Sequence, residues 1–510
     1  MIIVTALYTL CLVGLATYGL HTLWLTLIYL RSTAPPSGVL RERDHTGYWP
    51  RVTVQLPIFN ERYTVERLLD AAARLDYPRD RLQVQVLDDS TDITTTIARR
   101  LVGHYQAQGL DIHLVHRTDR AGFKAGALAA GLETATGELI AVFDADFVPG
   151  EDWLRRIVPE FRDPCLGCLQ TRWGHLNRNY NALTRAQALG VDGHFVVEQA
   201  ARARVRLFLN FNGTAGLWRR TCIEDAGGWQ ADTLTEDLDL SYRGQLRGWR
   251  IGYRPDVVVP AELPAQLDAF KRQQFRWAKG SLQTARKLAP CLWRADAPRR
   301  TRLAGFIHLT SYAVHPLMLL TLLLALPIGL WAGPALRIFP WFTLAAVGPP
   351  LLYSVARTAH TPRLRDRLSV VPLLTLLGFG ISLSNSVAAV EGLTGRGGDF
   401  RRTPKFDLRG RQGTWAESVY ALPRKRIVWG ELALASYALL AIVFLWPQHG
   451  WVILPWMLVY AAGYLFVAGI SFAQGWQRAR ARARIPVEPV DALGHRVPAA
   501  AQPIESDGDG

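Results

Sequence analysis

The first thirty residues, Met1–Leu30, contain no Asp, Glu, Lys or Arg. This run is longer than the roughly 20 apolar residues that a bilayer core requires. It lacks the basic n-region of a secretory signal, so it is expected to stay as an anchor. Apolar runs return at Gly305–Trp331, Ile338–Ala356, Ser369–Val390, Ile427–Trp446 and Trp451–Phe472. Between the first run and Arg302 lie about 270 residues of ordinary globular texture. The expected plan is an anchor (1–32), a soluble domain (48–300) and a transmembrane helix pair (303–357). An interfacial or re-entrant segment (365–393), a basic loop (394–426), a second helix pair (427–473) and a short polar tail (474–510) follow.

The formal net charge of +15 suits either nucleic-acid binding or a membrane protein with basic cytoplasmic loops. The charge lies beside apolar spans, which favours the membrane and argues against nucleic acid. Arg31, Arg41 and Arg43 follow the first span, placing the N-terminus outside and the soluble domain inside. Arg357, Arg363, Arg365 and Arg367, and later Arg478, Arg480, Arg482 and Arg484, mark further inner loops, as does the basic stretch Gly395–Arg426. All of these stay inside if Ser369–Val390 dips into the membrane without crossing it, helped by Pro372, Gly378, Gly380 and Asn385. Five crossings are therefore expected. The five cysteines are few and odd in number, and Cys165–Cys168 is a lone CxxC, so a reducing cytosolic domain without a zinc site is expected.

In the soluble region, Arg51–Ile58, Gln83–Asp88, Ile112–His116 and Leu139–Asp144 read as strands. Thr64–Leu75, Ile93–Gln108 and Lys124–Thr134 between them read as helices, which predicts a mostly parallel α/β sheet covered on both faces. Ligands of such sheets bind at the carboxyl ends of strands. Asp88 and Asp89 fall at one such end, and Asp144 and Asp146 of the DAD triplet at another. Paired hard carboxylates suit Mg²⁺ or Mn²⁺ bridging a diphosphate. There is no GxxxxGK[ST], so no P-loop holds a nucleotide. Further on, ADTLTEDLDLSYR puts Glu236, Asp237 and Asp239 at the start of a helix, where Thr233 and Glu236 fit a capping box.

Asp88-Asp89, Asp144-Ala145-Asp146, Thr235-Glu236-Asp237 and Gln273-Gln274-Phe275-Arg276-Trp277 occur in that order. Together they resemble the D, DxD, TED, QxxRW set of processive family 2 glycosyltransferases, the group containing cellulose synthase. FNERYTVERLLDAAARLDYP, GFKAGAL, QTRWGHLN and FNFNGTAG are similar to the cellulose-synthase-like mannan and glucan synthases in particular. The likeness runs from about Val52 to Lys287, and more weakly to Lys405.

The resemblance implies a GT-A (Rossmann-like) domain joined to a helical membrane bundle in a bacterial-type inner membrane. It implies a nucleotide-sugar donor, UDP-glucose or GDP-mannose, and a glycan acceptor. Asp88 and Asp89 would contact base and ribose, with Pro57 and Glu61 close by; Lys124 and Arg276 would add cations near the donor. Asp144 and Asp146 would hold Mg²⁺ or Mn²⁺ and the diphosphate. Asp237 would be the general base of an inverting transfer. Trp277, Gln273, Asn212, Gly213 and Thr214 would line the acceptor site. FRRTPK, with Phe400, Thr403 and Lys405, resembles the FxVTPK gating loop, departing from it at Arg402 where valine is expected. Regulation by cyclic diguanylate is not expected through the short tail. Two alternatives stay open: a single-sugar transfer to a membrane lipid such as diacylglycerol, and an inactive scaffold or transporter.

Overall fold

The computed structural model describes residues 2–31, 47–331, 344–358, 369–395 and 400–484. Arg41, Arg43, Arg363, Arg365, Arg367, Arg396, part of the run 338–356 and the tail from 485 lie outside the described residues.

After α1 (Ile2–Arg31), strands and helices alternate: β1 (Val52–Ile58), α2 (Val65–Ala73), β2 (Leu82–Asp88), α3 (Thr94–Ala107), β3 (Asp111–His116), α4 (Phe123–Thr134) and β4 (Leu139–Val142). The second half is less regular. It comprises α5 (Trp153–Ile157), β5 (Leu166–His175), α6 (Ala182–Asp192), a π-helical turn (Gly193–Gln199), α7 (Ala200–Arg204), β6 (Gly216–Arg219), α8 (Arg220–Asp225), α9 (Glu236–Leu246) and β7 (Arg250–Ala261). The seven strands form one sheet in the order β3-β2-β1-β4-β6-β5-β7. All pairings are parallel except those of β6, which runs antiparallel to both β4 and β5. The sheet is thus mostly parallel, as the sequence suggested, with β6 as its one antiparallel strand.

Every residue of β2 and nearly every residue of β1 is buried, as strands covered on both faces must be. Val54, Val84 and Val86 reach zero exposure; each such burial contributes about 1.5–3 kcal/mol. The chain steps from β1 to β2 to β3 on one side, then reverses to β4 on the other. That reversal opens a crevice at the carboxyl ends of β1 and β4, where Pro57 and the DAD triplet stand.

Beyond the sheet come α10 (Leu267–Arg294), α11 (Arg299–Leu309), α12 (Val314–Trp331), α13 (Gly348–Thr358), α14 (Val371–Gly380), α15 (Ser382–Thr394) and α16 (Ile427–Arg484). Four stretches have the length and apolarity of a membrane span: Ile2–Arg31, Ser311–Leu330, Ile427–Trp446 and Leu454–Ala483. The described part of the run 338–356 is the shorter apolar helix Ala345–Ala356. α14 and α15 meet at a 52° bend. Both ends of this bent pair touch the sheet domain and its flanking helix: Val370 and Val371 cluster with Leu189, and the Gly392 Cα packs on the Lys279 carbonyl. α16 carries two of the four spans, and Glu431 in the first and Gln474 in the second both bond to the start of α10, to Lys271 and Leu267 respectively. A straight helix would separate those two residues by about 64 Å, so α16 folds back on itself as a hairpin. Gly19 of α1 and Gly348 meet backbone to backbone, a crossing that any side chain would block.

Two ion pairs pin α10 to the bundle: the buried Lys271–Glu431 (2.6 Å) and the partly exposed Lys279–Glu391 (2.8 Å). Lys271 and Glu431 are 1% and 0% exposed, so removing one partner strands the other's charge. Glu431→Leu is expected to cost about 3–5 kcal/mol of stability, largely recovered in Lys271→Met/Glu431→Leu. Thermal unfolding of the detergent-solubilised protein reads both.

Candidate active site

The loop after β1 is fastened to the loop after β2. The Asn60 N–H donates to Ser90 Oγ (2.8 Å) and the Thr91 N–H to Asn60 Oδ1 (2.8 Å). Asp88 organises this junction from beneath. It is 0% exposed, accepts from the Ser90 N–H (2.9 Å) and the Thr95 hydroxyl (2.7 Å), and meets His116 Nδ1 at 2.9 Å. Asp88 does not line the crevice: its oxygens face the Ser90 N–H, the Thr95 hydroxyl and the His116 ring. Asp89 does reach the crevice, gripped by Arg117 through two bonds of 2.8 and 2.6 Å.

The DAD triplet follows β4. Lys124, at the start of α4, donates to Asp144 Oδ1 (2.5 Å) and to the Gly213 carbonyl (2.8 Å), and lies 3.7 Å from Glu236. Lys405 donates to Asp146 Oδ2 (2.5 Å) and to the Glu262 carbonyl (2.6 Å). Each carboxylate of the triplet thus holds a cation, and both open onto one crevice. This hard-oxygen pair fits Mg²⁺ or Mn²⁺, with diphosphate oxygens and water completing the shell. Among the described residues no cluster of three His, Cys, Asp or Glu side chains forms a self-sufficient metal cage. Thr214 is fully buried and its hydroxyl accepts from the Asp144 N–H (2.9 Å). It supports the triplet from below and does not line the acceptor space, contrary to the expectation from sequence.

Asp237 sits in the first turn of α9, across the crevice from the triplet. The helix is not capped as the sequence suggested. Thr235 is its N-cap without a side-chain cap bond, and the buried Thr233 hydroxyl has no hydrogen-bond partner. Glu236 is the first helical residue and turns toward Lys124, so tertiary charge has displaced the local capping box. The Leu238 N–H donates to Asp237 Oδ1 (2.8 Å). Oδ2 lies 2.8 Å from where a Cβ on Gly213 would stand, and Gly213 has φ +83°. Only glycine suits that loop on both counts. Burial, then the Glu236 charge, push the Asp237 carboxyl up to about 7, with Lys124 pulling the other way. Asp239, by contrast, is fully buried and bonded to Arg243 (2.7 Å) and Lys287 (2.9 Å), a structural role.

α10 presents Gln273, Gln274, Arg276 and Trp277 to the crevice. The Arg276 guanidinium lies 4.4 Å from the Phe400 ring centroid, and Phe400 stacks on Phe123. Thr403, in the same strap of chain from Phe400 to Lys405, is buried. Arg402, where the gating motif has valine, pairs with Glu61 (2.9 Å) and covers the Tyr420 ring. Burial raises the Glu61 carboxyl to about 7 against the pull of Arg402. One residue that sequence reasoning missed holds this strap: Glu262, 2% exposed, accepts from the backbone N–H groups of Phe406 (2.7 Å) and Leu408 (3.1 Å). It follows β7 directly, and its partners lie over 140 residues away.

The crevice continues into one cavity of about 990 Å³ that passes between the apolar helices. Asp237, Trp277 and Arg276 line one end, and Tyr8, Met318, Phe379 and Tyr460 line the other.

The sequence profile described as "Glycosyltransferase like family 2" matches residues 50–280. The probable glucomannan 4-β-mannosyltransferase 7 of Oryza sativa subsp. japonica is 43% identical over 260 residues, which are 50% of this chain and 44% of that one. The probable glucomannan 4-β-mannosyltransferase 11 of the same plant is 36% identical, covering 68% of this chain and 61% of that protein. The chain thus matches less than two thirds of either relative's length. Glucomannan 4-β-mannosyltransferase 1 of Oryza sativa subsp. japonica is 32% identical over 440 residues, 84% of this chain and 82% of the relative. Among solved structures, a mannosyltransferase from Pyrobaculum calidifontis in complex with GDP-Man and Mn²⁺ superposes with a TM-score of 0.51. It is 24% identical, covering 77% of this chain and all of that one, a likeness of fold: the sheet domain is of GT-A type.

Proposed function

Because this chain belongs to glycosyltransferase family 2, in its cellulose-synthase-like group, we propose that it moves a hexosyl unit from a nucleotide-diphospho-sugar onto a growing β-glycan with inversion. The relatives' names and the GDP-Man in the archaeal structure favour mannose and a guanine nucleotide over UDP-glucose. The observation that carries the reading is Asp237 facing the DAD triplet at the mouth of a cavity that runs on between apolar helices.

The donor's diphosphate lies against Lys124 and Arg276, and Asp89, Pro57 and Glu61 border its nucleoside. Asp144 and Asp146 would hold Mg²⁺ or Mn²⁺, and such an ion would supply positive charge to the departing diphosphate. Asp237 takes the proton from an acceptor hydroxyl while that oxygen attacks the anomeric carbon. The bond from anomeric carbon to phosphate oxygen breaks on the opposite face, and the nucleoside diphosphate leaves with the electron pair. One displacement inverts the centre, so no sugar is held covalently by the enzyme. Trp277 offers a flat face for the acceptor ring, and Gln273, Asn212 and Gly213 border it. Phe400, Thr403 and Lys405 belong to a strap that closes over the donor, and Arg402 gives it a charged hold on Glu61.

The membrane reading is a plasma-membrane protein with its catalytic domain on the cytosolic side. Arg204 donates to the Tyr29 carbonyl, so the far end of α1 points away from the sheet domain. The N-terminus then lies outside. Both ends of the bent α14–α15 pair touch the catalytic side, which supports a re-entrant element and five crossings.

The test uses the full chain in lipid vesicles with Mg²⁺ or Mn²⁺ and radiolabelled GDP-mannose or UDP-glucose. Label is expected in a high-molecular-weight product that a β-mannanase degrades, and none with Asp237→Asn. Label confined to one organic-soluble lipid would replace the glycan by a lipid acceptor. Label in a β-glucanase-sensitive polymer would keep the synthase and change its sugar.

A further inference from the structure

We propose that His194 and Glu198, carried on the π-helical turn, form a separate acceptor-reading site for a sugar unit behind the one being extended. The inference rests on the glycan-synthase reading above and names residues that reading leaves unused.

α6 and α7 are parts of one helical run, and Gly193–Gln199 between them is wound as a π-helix. Such turns give up hydrogen-bond geometry and recur at functional sites. Here the widened turn sets His194 Nδ1 3.1 Å from Glu198 Oε2. The ring's other nitrogen, Nε2, lies 3.0 Å from Asn212 Oδ1. Asn212 precedes Gly213, whose Cα backs onto Asp237. A hydrogen-bonded chain therefore runs from Asn212, next to Gly213, through His194 to Glu198.

Arg202, one turn further on, is 3% exposed and meets His21 of α1 (3.1 Å). Burial raises the Glu198 carboxyl, but His194 and Arg202 outweigh it and hold the group below its ordinary value. Glu198 is accordingly a carboxylate at neutral pH.

A hydrogen-bonded network that served only packing would be closed over by neighbouring side chains. This one is open: about a quarter of the His194 side chain and a third of Glu198 stay accessible. The space that both face is the cavity that holds Asp237 and Trp277. The transfer step needs neither residue, since base, diphosphate cations and carboxylate pair are all found elsewhere. What the pair offers is an ionised carboxylate able to accept from two neighbouring hydroxyls, beside an imidazole. That matches the hydroxyl-rich edge of a hexopyranose, and a site built to bond a hydroxyl discriminates strongly against ligands lacking it.

The experiment uses the full chain in vesicles, with the donor it turns over and linkage-matched acceptors of one to six sugar units. Wild type is expected to prefer acceptors of two or more units. Glu198→Gln and His194→Ala should raise the KM for these longer acceptors by roughly 10- to 100-fold, the loss of one bond to a charged group. Their preference for longer over single-unit acceptors should disappear, with kcat at saturation changing far less. His194→Asn, which puts a hydrogen-bonding amide in place of the imidazole, should recover part of the loss. Nucleoside diphosphate binding and the thermal midpoint report the fold; if Glu198→Gln does not fold, the two His194 variants carry the test. Variants whose acceptor KM and length preference match wild type overturn this proposal alone. Wild type that labels only lipid overturns it together with the synthase reading.

Discussion

Asp237→Asn is expected to lower turnover by about 10²–10⁴-fold, the range of a lost general base. Asn has nearly the shape of Asp and can still accept from the Leu238 N–H, so nucleotide binding should stay near wild type. The pH profile makes the test sharper. Asp237 works only when ionised, and its carboxyl is pushed up to about 7 by burial and by Glu236. The free-enzyme kcat/KM should therefore plateau above about pH 7 and fall towards tenfold per unit below it. Glu236 is the neighbouring charge that raises the group most, so Glu236→Gln should move this limb to lower pH. The readout is kcat/KM against pH for wild type and both variants. Asp237→Asn at full activity would assign the general base to another residue, and an unmoved limb in Glu236→Gln would assign the titration to another group.

The parallel half of the sheet was legible in the sequence because physics acts locally there. β1 and β2 are buried on both faces, so they read as apolar runs, and the helices between them show their own period. The acids at the ends of β2 and β4 could be located for the same reason. β5, β6 and β7 were not foreseen, since a four-residue antiparallel strand such as Gly216–Arg219 is defined by its neighbours in the sheet. Within the site, residue type was legible and role was not always. Asp88 and Thr214 have the chemistry of ligand contacts, but Asp88 faces the Ser90 N–H, Thr95 and His116, and Thr214 accepts from the Asp144 N–H. Glu262 looks like an ordinary acid after a strand, and becomes an anchor only when Phe406 and Leu408 bring their N–H groups to it. Arg402 looked like a broken motif until the fold set it against Glu61.

Asp146→Asn is the second large effect, and charge balance predicts it. Glu61, Asp89, Asp144, Asp146, Glu198, Glu236, Asp237 and Glu262 line the cavity, against Arg120, Lys124, Arg202, Arg276, Arg402 and Lys405. Eight carboxyl groups face six cations before any diphosphate enters. A nucleoside diphosphate leaving group deepens that deficit, and a divalent cation held at Asp144 and Asp146 is the economical way to offset it. Removing one of the two carboxylates should lower Mn²⁺ affinity, read by electron paramagnetic resonance with GDP present, and cut turnover by about two to three orders of magnitude. Lys405→Met separates metal loss from disturbance of the strap, because it removes the lysine bonded to Asp146 and leaves the carboxylate intact. That variant should bind Mn²⁺ at least as tightly as wild type, since a competing cation has gone. Turnover that survives chelation of all divalent ions, together with wild-type Mn²⁺ binding in Asp146→Asn, would assign the offsetting charge to Lys124 and Lys405 instead.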